Sequence, residues 1–310
     1  MSKEQSAEMS QQQQQELQDK QIEDRMALIG KKIIIMSGKG GVGKTTVTVN
    51  LANALVDKGY KVGILDTDLH GPNVAKMLGC EKNTLESPDG KTIVPVEVRK
   101  NLSVISLSFA IQDSGAPIIW RGPMKIKAIK QFLGDVNWGP LDYLLIDTPP
   151  GTGDEQLTAI QSIAGMTGSV IVTTPQDVAL LDARKSINFS KKLNVKVLGV
   201  VENMSGLICP GCGEIIPLFG MGGGSKLANE EKVPYIGRIP IEVNLRENED
   251  SGKSSLEMNP DSESTKALRD IANLLDEQTE VGDPNDYLNT SKCSPTSCSS
   301  CSSNCSSRKE

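Results

Sequence analysis

The sequence predicts an α/β fold built on a doubly wound, mostly parallel sheet with helices on both faces. Short apolar runs rich in β-branched residues recur along the chain, separated in several places by segments of helical length. The first run, residues 33–36, is followed by glycines and then by a helical stretch over residues 44–58. Strands that alternate with helices in this way are typical of parallel sheets. The later strands are predicted at residues 61–65, 102–107, 143–146, 169–172, 195–201 and 235–239.

The 310 residues divide into one large predicted domain and two polar tails. Residues 1–29 are Gln-rich and charged, so we expect a flexible tail that contains a short helix at most. Residues 30–277 form the predicted domain, which ends in an amphipathic helix over residues 262–277. Residues 278–310 are rich in serine and carry four cysteines, which predicts a second flexible tail unless a metal orders it.

Charge and hydropathy exclude several classes of partner. The formal net charge of −6 provides no basic field that would bind nucleic-acid phosphates. The amino terminus has no apolar signal-peptide core, and no run reaches the roughly 18 apolar residues of a transmembrane helix. We therefore expect a cytoplasmic protein that binds neither nucleic acid nor membrane. Because His70 is the single histidine, a site built from several imidazoles is excluded.

A glycine-rich loop follows the first predicted strand and opens the first predicted helix. Residues 38–45 match the pattern G-x-x-x-x-G-K-[ST], whose backbone N–H groups cradle phosphates. In this motif Lys44 neutralises the β- and γ-phosphates and Thr45 ligates Mg²⁺. The guanine-specifying Asn-Lys-x-Asp pattern is absent, but adenine contacts follow no comparable pattern, so the loop by itself does not identify the base. The predicted nucleotide contacts of the loop are Gly38, Lys39, Gly40, Gly41, Val42, Gly43, Lys44, Thr45 and Thr46.

Aspartates end two of the predicted strands, at the edge where parallel sheets bind their ligands. Asp66 and Asp68 follow the run at residues 61–65, and Asp147 follows the run at residues 143–146. Helix capping is the alternative role for any one of these residues. Three of them in a nucleotide-binding protein favour hydrolysis, which depends on positioning and charge stabilisation more than on a strong base.

The paired cysteines Cys209 and Cys212 are the second chemical motif of the chain. Such a C-x-x-C pair belongs to a redox site, to half of a zinc site or to half of an iron–sulfur cluster site. Glycines and prolines surround the pair, whereas a redox pair usually opens a helix. A [4Fe–4S] cluster or a structural zinc takes about four protein ligands, which two copies of the pair would supply in a homodimer. Cys80 ends an apolar helical segment, and we expect it to be a small buried residue.

Six segments in a fixed order resemble one known family. They are the loop at residues 37–46, Asp66–Asn73, Trp120–Met124, Asp147–Asp154, Val201–Gly206 and the cysteine pair. Together they resemble the Mrp/ApbC family of iron–sulfur cluster carriers, and the loop resembles the deviant Walker A P-loop of the MinD/nitrogenase-iron-protein superfamily. The resemblance covers roughly residues 30–275.

The resemblance implies a slow ATPase that binds a [4Fe–4S] cluster across a homodimer and transfers it to apo-proteins. It implies that Lys39 crosses the dimer interface to the partner's nucleotide and that Asp66 orients the attacking water. Asp68 would lie in a switch segment, Asp147 would act through Mg²⁺-bound water and Asn203 would contact adenine. Apo iron–sulfur clients and cluster donors are the implied partners.

The chain departs from the eukaryotic scaffolds related to this family, because residues 1–79 contain no cysteine. Four thiols lie instead in the carboxy-terminal tail, at Cys293, Cys298, Cys301 and Cys305. They hold a second metal or form a weakly chelating tail, and both interpretations stay open. Two other functions stay open as well, a MinD- or ParA-like ATPase regulator and a P-loop zinc metallochaperone.

Overall fold

The computed structural model describes residues 3–68, 71–110 and 122–280. The strands in these ranges are β1 (Ile29–Met36), β2 (Val62–Asp66), β3 (Val96–Arg99), β4 (Leu102–Ser106), β5 (Leu141–Asp147), β6 (Gly168–Thr173), β7 (Val197–Glu202), β8 (Leu207–Ile208), β9 (Ile215–Ile216) and β10 (Tyr235–Arg238). The helices are α1 (Lys3–Met26), α2 (Lys44–Asp57), α3 (Val74–Met77), α4 (Gly122–Asp135), α5 (Asp154–Ser162), α6 (Asp177–Lys192), α7 (Gly223–Glu231), α8 (Val243–Asp250), α9 (Ser255–Met258) and α10 (Glu263–Glu280).

Eight of these strands form one sheet, in the order β10-β7-β6-β1-β5-β2-β4-β3. Every neighbouring pair is parallel except β3 with β4, which is antiparallel. The predicted strands are confirmed, whereas the short edge strand β3 was not predicted. β8 and β9 pair separately as an antiparallel hairpin. The predicted fold class, a doubly wound and mostly parallel sheet, is confirmed.

The sheet separates two hydrophobic cores. Along β1, Ile33 and Ile35 belong to one buried cluster, and Ile34 and Met36 belong to the other. This alternation follows from strand geometry, since successive side chains point to opposite faces. Apolar residues of α2 and α10 complete the first core, and apolar residues of α1, α4, α5, α6 and α7 complete the second. Helices therefore cover both faces of the sheet.

The amino-terminal segment differs from the flexible tail that its composition predicts. Residues 3–26 form the helix α1, in which Ile22 and Met26 are each 1% exposed. These two residues lie four positions apart, on one face of the helix, and belong to the second core. Gln21 donates a hydrogen bond to the carbonyl oxygen of Gly134 in α4, at 3.1 Å. Two buried side chains are enough to dock a helix that is otherwise polar.

The predicted carboxy-terminal helix over residues 262–277 is present as α10, which extends to Glu280. The remainder of the predicted tail, residues 281–310, lies outside the described residues, together with its four cysteines. In the ranges described above, no helix is both long enough and apolar enough to cross a bilayer.

Candidate functional site

The glycine-rich loop between β1 and α2 lines a cavity of about 450 Å³, within the usual size range of ligand sites. Gly43 comes directly before α2 and has a φ of +82°. A Cβ at this position would lie 2.0 Å from the amide nitrogen of Asn203, so the close approach requires glycine. The N–H groups in the first turn of α2 have no partner within the helix, and the helix dipole favours an anion there. The cavity is also lined by Asp68, Lys76, Pro150, Glu249 and Asp250.

Asp147, the last residue of β5, accepts three hydrogen bonds from side chains of α2. Lys44 Nζ donates to its Oδ1 and Thr45 Oγ1 donates to its Oδ2, each at 2.8 Å. Thr48 Oγ1 donates to Oδ1, also at 2.8 Å. Asp147 is fully buried, and the ammonium group of Lys44 compensates its charge. The Thr45 and Asp147 oxygens lie together at the loop and are the kind of ligand that Mg²⁺ prefers.

Asp66 lies directly opposite Asp147, because β2 and β5 are neighbouring parallel strands in register. It is 1% exposed, and its Oδ2 accepts a hydrogen bond from Ser106 Oγ at 2.8 Å. Burial, together with the Asp147 carboxylate, raises the pKa of Asp66 well above the usual range of an aspartate. Asp68 lines the cavity, and its N–H donates to Asp66 Oδ1 at 3.1 Å. The structure thus brings the three predicted aspartates together, with Asp68 lining the cavity.

Lys39, the early lysine of the loop, lines the same cavity. Lys44 is paired with Asp147, whereas Lys39 forms no ion pair in the described part of the chain. Ser37 Oγ donates a hydrogen bond to the Lys39 carbonyl oxygen at 3.1 Å, which helps to fix the backbone of the loop. The ammonium group of Lys39 is therefore available to a phosphate anion.

Asn203 follows β7 and packs against the glycine-rich loop. It is 5% exposed, and its Nδ2 donates to the carbonyl oxygen of Val42 at 2.9 Å. The segment 237–240 lies next to it, since the N–H of Ile239 donates to the carbonyl oxygen of Glu202 at 2.8 Å. The implied contact between Asn203 and adenine stays a prediction.

The cysteine pair lies on the segment that joins β7 to α7, which we call the cysteine hairpin (residues 206–221). The N–H of Cys209 donates to the carbonyl oxygen of Glu214 at 2.9 Å, next to the pairing of β8 with β9. Cys209 is half-buried and Cys212 is exposed. The N–H groups of Gly211 and Cys212 lower the pKa of the Cys209 thiol, which favours the metal-binding thiolate. No set of three or more candidate metal ligands occurs in the described residues, where the pair supplies two thiols.

Large apolar side chains are exposed on the cysteine hairpin. Leu218 is 56% exposed and Ile215 is 48% exposed. Grouped apolar surface of this kind is found at protein, membrane and ligand contact sites. The exposed apolar residues of the hairpin are Ile215, Ile216, Leu218, Phe219 and Met221.

Residues 28–276 match the family described as "ParA: NUBPL iron-transfer P-loop NTPase". The chain belongs to this family. It is 53% identical over 235 residues to an iron-sulfur cluster carrier protein of Methanocaldococcus jannaschii, which covers 76% of this chain and 81% of that protein. It is 49% identical over 232 residues to a cytosolic Fe-S cluster assembly factor of Saccharomyces cerevisiae, with 72% and 79% of the two chains covered.

Solved structures agree with membership of this iron-transfer NTPase family. A nucleotide-binding protein of Archaeoglobus fulgidus in complex with ADP matches with a TM-score of 0.68 at 41% identity, covering 78% of this chain and 94% of that one. The septum site-determining protein MinD of Pyrococcus horikoshii, complexed with Mg-ADP, matches with a TM-score of 0.59 at 25% identity, covering 80% and 96%. The predicted family resemblance is confirmed, and the chain is a nucleotide-binding P-loop protein of an NTPase family.

Three residues of the iron-transfer NTPase site were not predicted from the sequence: Ser106, Glu202 and Glu249. Ser106 and Glu249 contact predicted site residues, and Glu202 accepts hydrogen bonds from Ser205 and Gly222, on either side of the cysteine hairpin. Glu249 in α8 accepts hydrogen bonds from Thr46 Oγ1 at 3.1 Å and from Asn50 Nδ2 at 2.7 Å. Burial is the main cause that raises the pKa of Glu249 to about 7. A strand-end serine or a helical glutamate carries no local signal that would single it out.

Two cysteine predictions have different outcomes. Cys80 is buried, as predicted, and burial raises the pKa of its thiol to about 11, which keeps it protonated and inert. The possible second metal site in the tail, at Cys293, Cys298, Cys301 and Cys305, lies outside the described residues.

Proposed function

We propose that this chain is an ATP-binding carrier that assembles a [4Fe–4S] cluster and transfers it to apo-proteins. The observation that carries the proposal is an accessible thiol pair on a P-loop NTPase of an iron-transfer family. A [4Fe–4S] cluster takes about four cysteine ligands, and Cys209 and Cys212 supply two. Two copies of the pair, brought together in a homodimer, complete the ligand set for the cluster as cargo.

The names of related proteins support the same function. The relative from Methanocaldococcus jannaschii is named an iron-sulfur cluster carrier protein, and the yeast relative is named a cytosolic Fe-S cluster assembly factor. We therefore place the chain in the cytoplasm, with cluster donors and apo iron–sulfur proteins as its partners.

The surface of the cysteine hairpin supports the homodimer. Its exposed apolar side chains lie on the same hairpin as the thiols, and a second copy would remove this surface from water. At the glycine-rich loop, Lys39 has no ion-pair partner within the described residues, so it can neutralise a phosphate bound to the opposite copy. Both features are expected of a dimer that closes over nucleotide.

The loop supports slow hydrolysis of ATP. Thr45 offers an oxygen ligand that would hold Mg²⁺, and Asp147 would act through water bound to that ion. When bound, Mg²⁺ would supply charge neutralisation at the phosphates. In this proposal Asp66 orients the attacking water, with Ser106 fixing the position of its carboxylate. Asp68 lies at the cavity as part of a switch segment. Hydrolysis is weak and serves cluster binding or transfer.

Anaerobic reconstitution with iron and sulfide tests the cluster proposal. We expect about four irons per dimer, with matching visible absorption, in the wild type and in a truncation after Glu280. The Cys209→Ala/Cys212→Ala variant is expected to lose both, while Cys80→Ala serves as the matched cysteine control. Absence of iron uptake by the wild type would contradict the proposal, and zinc held by the same pair would favour a metallochaperone instead. If only the truncation loses iron, the cluster ligands are the carboxy-terminal cysteines instead.

The proposed contact of Lys39 with the nucleotide of the opposite copy is tested separately. We expect Lys39→Ala to lose most ATPase activity while it still binds nucleotide, because Lys44 and the loop backbone remain. Turnover is measured together with nucleotide affinity and molecular mass in solution. Wild-type turnover in this variant would contradict the role and would favour a regulator-type ATPase that works without this lysine.

A further inference from the structure

A buried carboxylate lies between the glycine-rich loop and the cysteine hairpin, and the chemistry described above does not use it. Glu202, the last residue of β7, is fully buried. Its hydrogen-bond donors are the Ser205 hydroxyl and the backbone N–H groups of Gly222 and Gly224. None of these donors is a lysine or an arginine. A buried carboxylate is expensive to desolvate, so a full set of donors around it implies a defined position.

The donors to Glu202 flank the cysteine hairpin on both sides. Ser205 immediately precedes the hairpin, and Gly222 immediately follows it. The Gly222 N–H donates to Glu202 Oε1 at 2.9 Å, and the Gly224 N–H donates to Oε2. Gly222 is also the N-cap of α7, whose dipole favours a negative charge at this point. One carboxylate therefore holds both ends of the segment that carries Cys209 and Cys212.

The next residue connects this carboxylate to the nucleotide site. Asn203 donates from Nδ2 to the Val42 carbonyl oxygen at 2.9 Å, and its own N–H donates to the Thr173 carbonyl oxygen at 2.8 Å. The contact with the loop is tight, since a Cβ on Gly43 would lie 2.0 Å from the same Nδ2. A single peptide bond thus separates the residue that touches the glycine-rich loop from the residue that holds the hairpin.

We propose that Glu202 is a positioning residue that fixes the cysteine hairpin and, through its bond to Asn203, passes the nucleotide state of the loop to the thiols. Its relevance to cluster transfer rests on the function proposed above, whereas its action on the thiols does not. When nucleotide shifts the peptide at Val42, Asn203 moves with it. Glu202 then moves both ends of the hairpin together.

The experiment follows the thiols of the full-length apo-protein. Cys209 and Cys212 are the two cysteines of the tryptic peptide 197–226, so mass spectrometry measures their alkylation by iodoacetamide separately from all other cysteines. Rates are taken with and without ATP and Mg²⁺, together with nucleotide affinity. We expect ATP to change the wild-type rate at least about fivefold, the lower end of common coupling strengths.

In Glu202→Gln, an amide nitrogen replaces one of the oxygens that accept hydrogen bonds from N–H groups. We expect faster alkylation without ATP, loss of the ATP effect and unchanged nucleotide affinity. Glu214→Gln, at an exposed position of the same hairpin, is the matched control and should behave as wild type. Simple loss of fold would remove nucleotide binding as well, so retained affinity separates positioning from instability.

Either of two results overturns the inference when Glu202→Gln folds. One is a wild-type alkylation rate that ATP leaves unchanged, and the other is a Glu202→Gln variant with wild-type rates in both states. If Glu202→Gln does not fold, Ser205→Ala decides, because it removes one donor and keeps the carboxylate; wild-type behaviour in that variant also overturns the inference. The alkylation experiment uses protein without iron, so its result does not depend on cluster reconstitution. A failed reconstitution would contradict the cluster proposal alone, and an alkylation rate that ignores ATP would contradict the Glu202 proposal alone.

Discussion

Replacing Glu249 by glutamine is expected to stabilise the nucleotide-free protein at pH 8 and to change its stability little at pH 5. The folded state raises the pKa of Glu249 from 4.5 to about 7, mainly through burial. Below pH 4.5 both folded and unfolded states hold the proton, so the group has no effect. Between pH 4.5 and 7 only the unfolded state has released the proton. The free energy of unfolding therefore falls by about 1.4 kcal/mol for each pH unit. Above pH 7 the loss is constant, at about 3 kcal/mol.

The glutamine variant cannot ionise, so it escapes this loss. It also gives up one of the two hydrogen bonds that the carboxylate accepts from Thr46 and Asn50, because an amide nitrogen donates and does not accept. That bond contributes about 1 kcal/mol. The net gain is therefore about 2 kcal/mol at pH 8, whereas gain and loss nearly cancel at pH 5.

Urea unfolding at both pH values measures the effect as a shift in midpoint at constant slope. Glu247→Gln, on the same helix with a side chain 59% exposed, is the matched control and should show no pH-dependent gain. If Glu249→Gln changes stability equally at pH 5 and pH 8, the carboxyl group does not titrate between them and the reasoning is refuted.

Three further predictions follow from the geometry of the site and its support. Gly43→Ala should abolish nucleotide binding in a calorimetric assay, because the new Cβ would lie 2.0 Å from Asn203 Nδ2; the thiol pair should still take up metal, and retained nucleotide affinity would contradict the close approach. Ser106→Ala should lower ATP turnover about tenfold at unchanged affinity, since it removes the hydrogen bond that holds Asp66; equal turnover would exclude that role. Asp276→Asn should cost about 2 kcal/mol at pH 7 by urea unfolding, because its carboxylate accepts bonds from two lysines and two tyrosines. Although burial acts to raise it, these bonds hold the pKa of Asp276 below its usual range, so the loss should shrink as the pH falls below about 4, and a pH-independent loss would contradict this cause.

The parts of the site that were predicted from sequence are those with local signals. The loop at residues 38–45 carries a fixed spacing, and Asp66 and Asp147 stand directly after apolar runs, so strand geometry alone places them at one edge. The register of β2 with β5 then brings the two carboxylates opposite each other. Spacing also identified the cysteine pair, although not the hairpin around it.

The parts that were missed depend on residues far apart in the sequence. Ser106 meets Asp66 across 40 positions, and Glu249 meets Thr46 across 203 positions. The helix α1 was not predicted for a different reason. Its segment is polar apart from a few residues, and the two that bury against the domain, Ile22 and Met26, are too few to give a helical pattern. In each case the deciding contact joins residues from different elements of the folded structure, so neither composition nor periodicity reports it.

The topology places the glycine-rich loop and the cysteine hairpin at the same edge of the sheet. Parallel strands all end at the same edge, so the loop after β1, the carboxylates after β2 and β5, and the hairpin after β7 leave the sheet on one side. In the dimer proposed above, a second copy that closes over the nucleotide at this edge would also approach the thiols. The hydrogen bond from the Asn203 side chain to the Val42 carbonyl oxygen shortens the path further, because it joins the residue after β7 directly to the loop. Strand order therefore puts both sites at the edge where the proposed dimer would close, which would couple nucleotide binding to cluster binding.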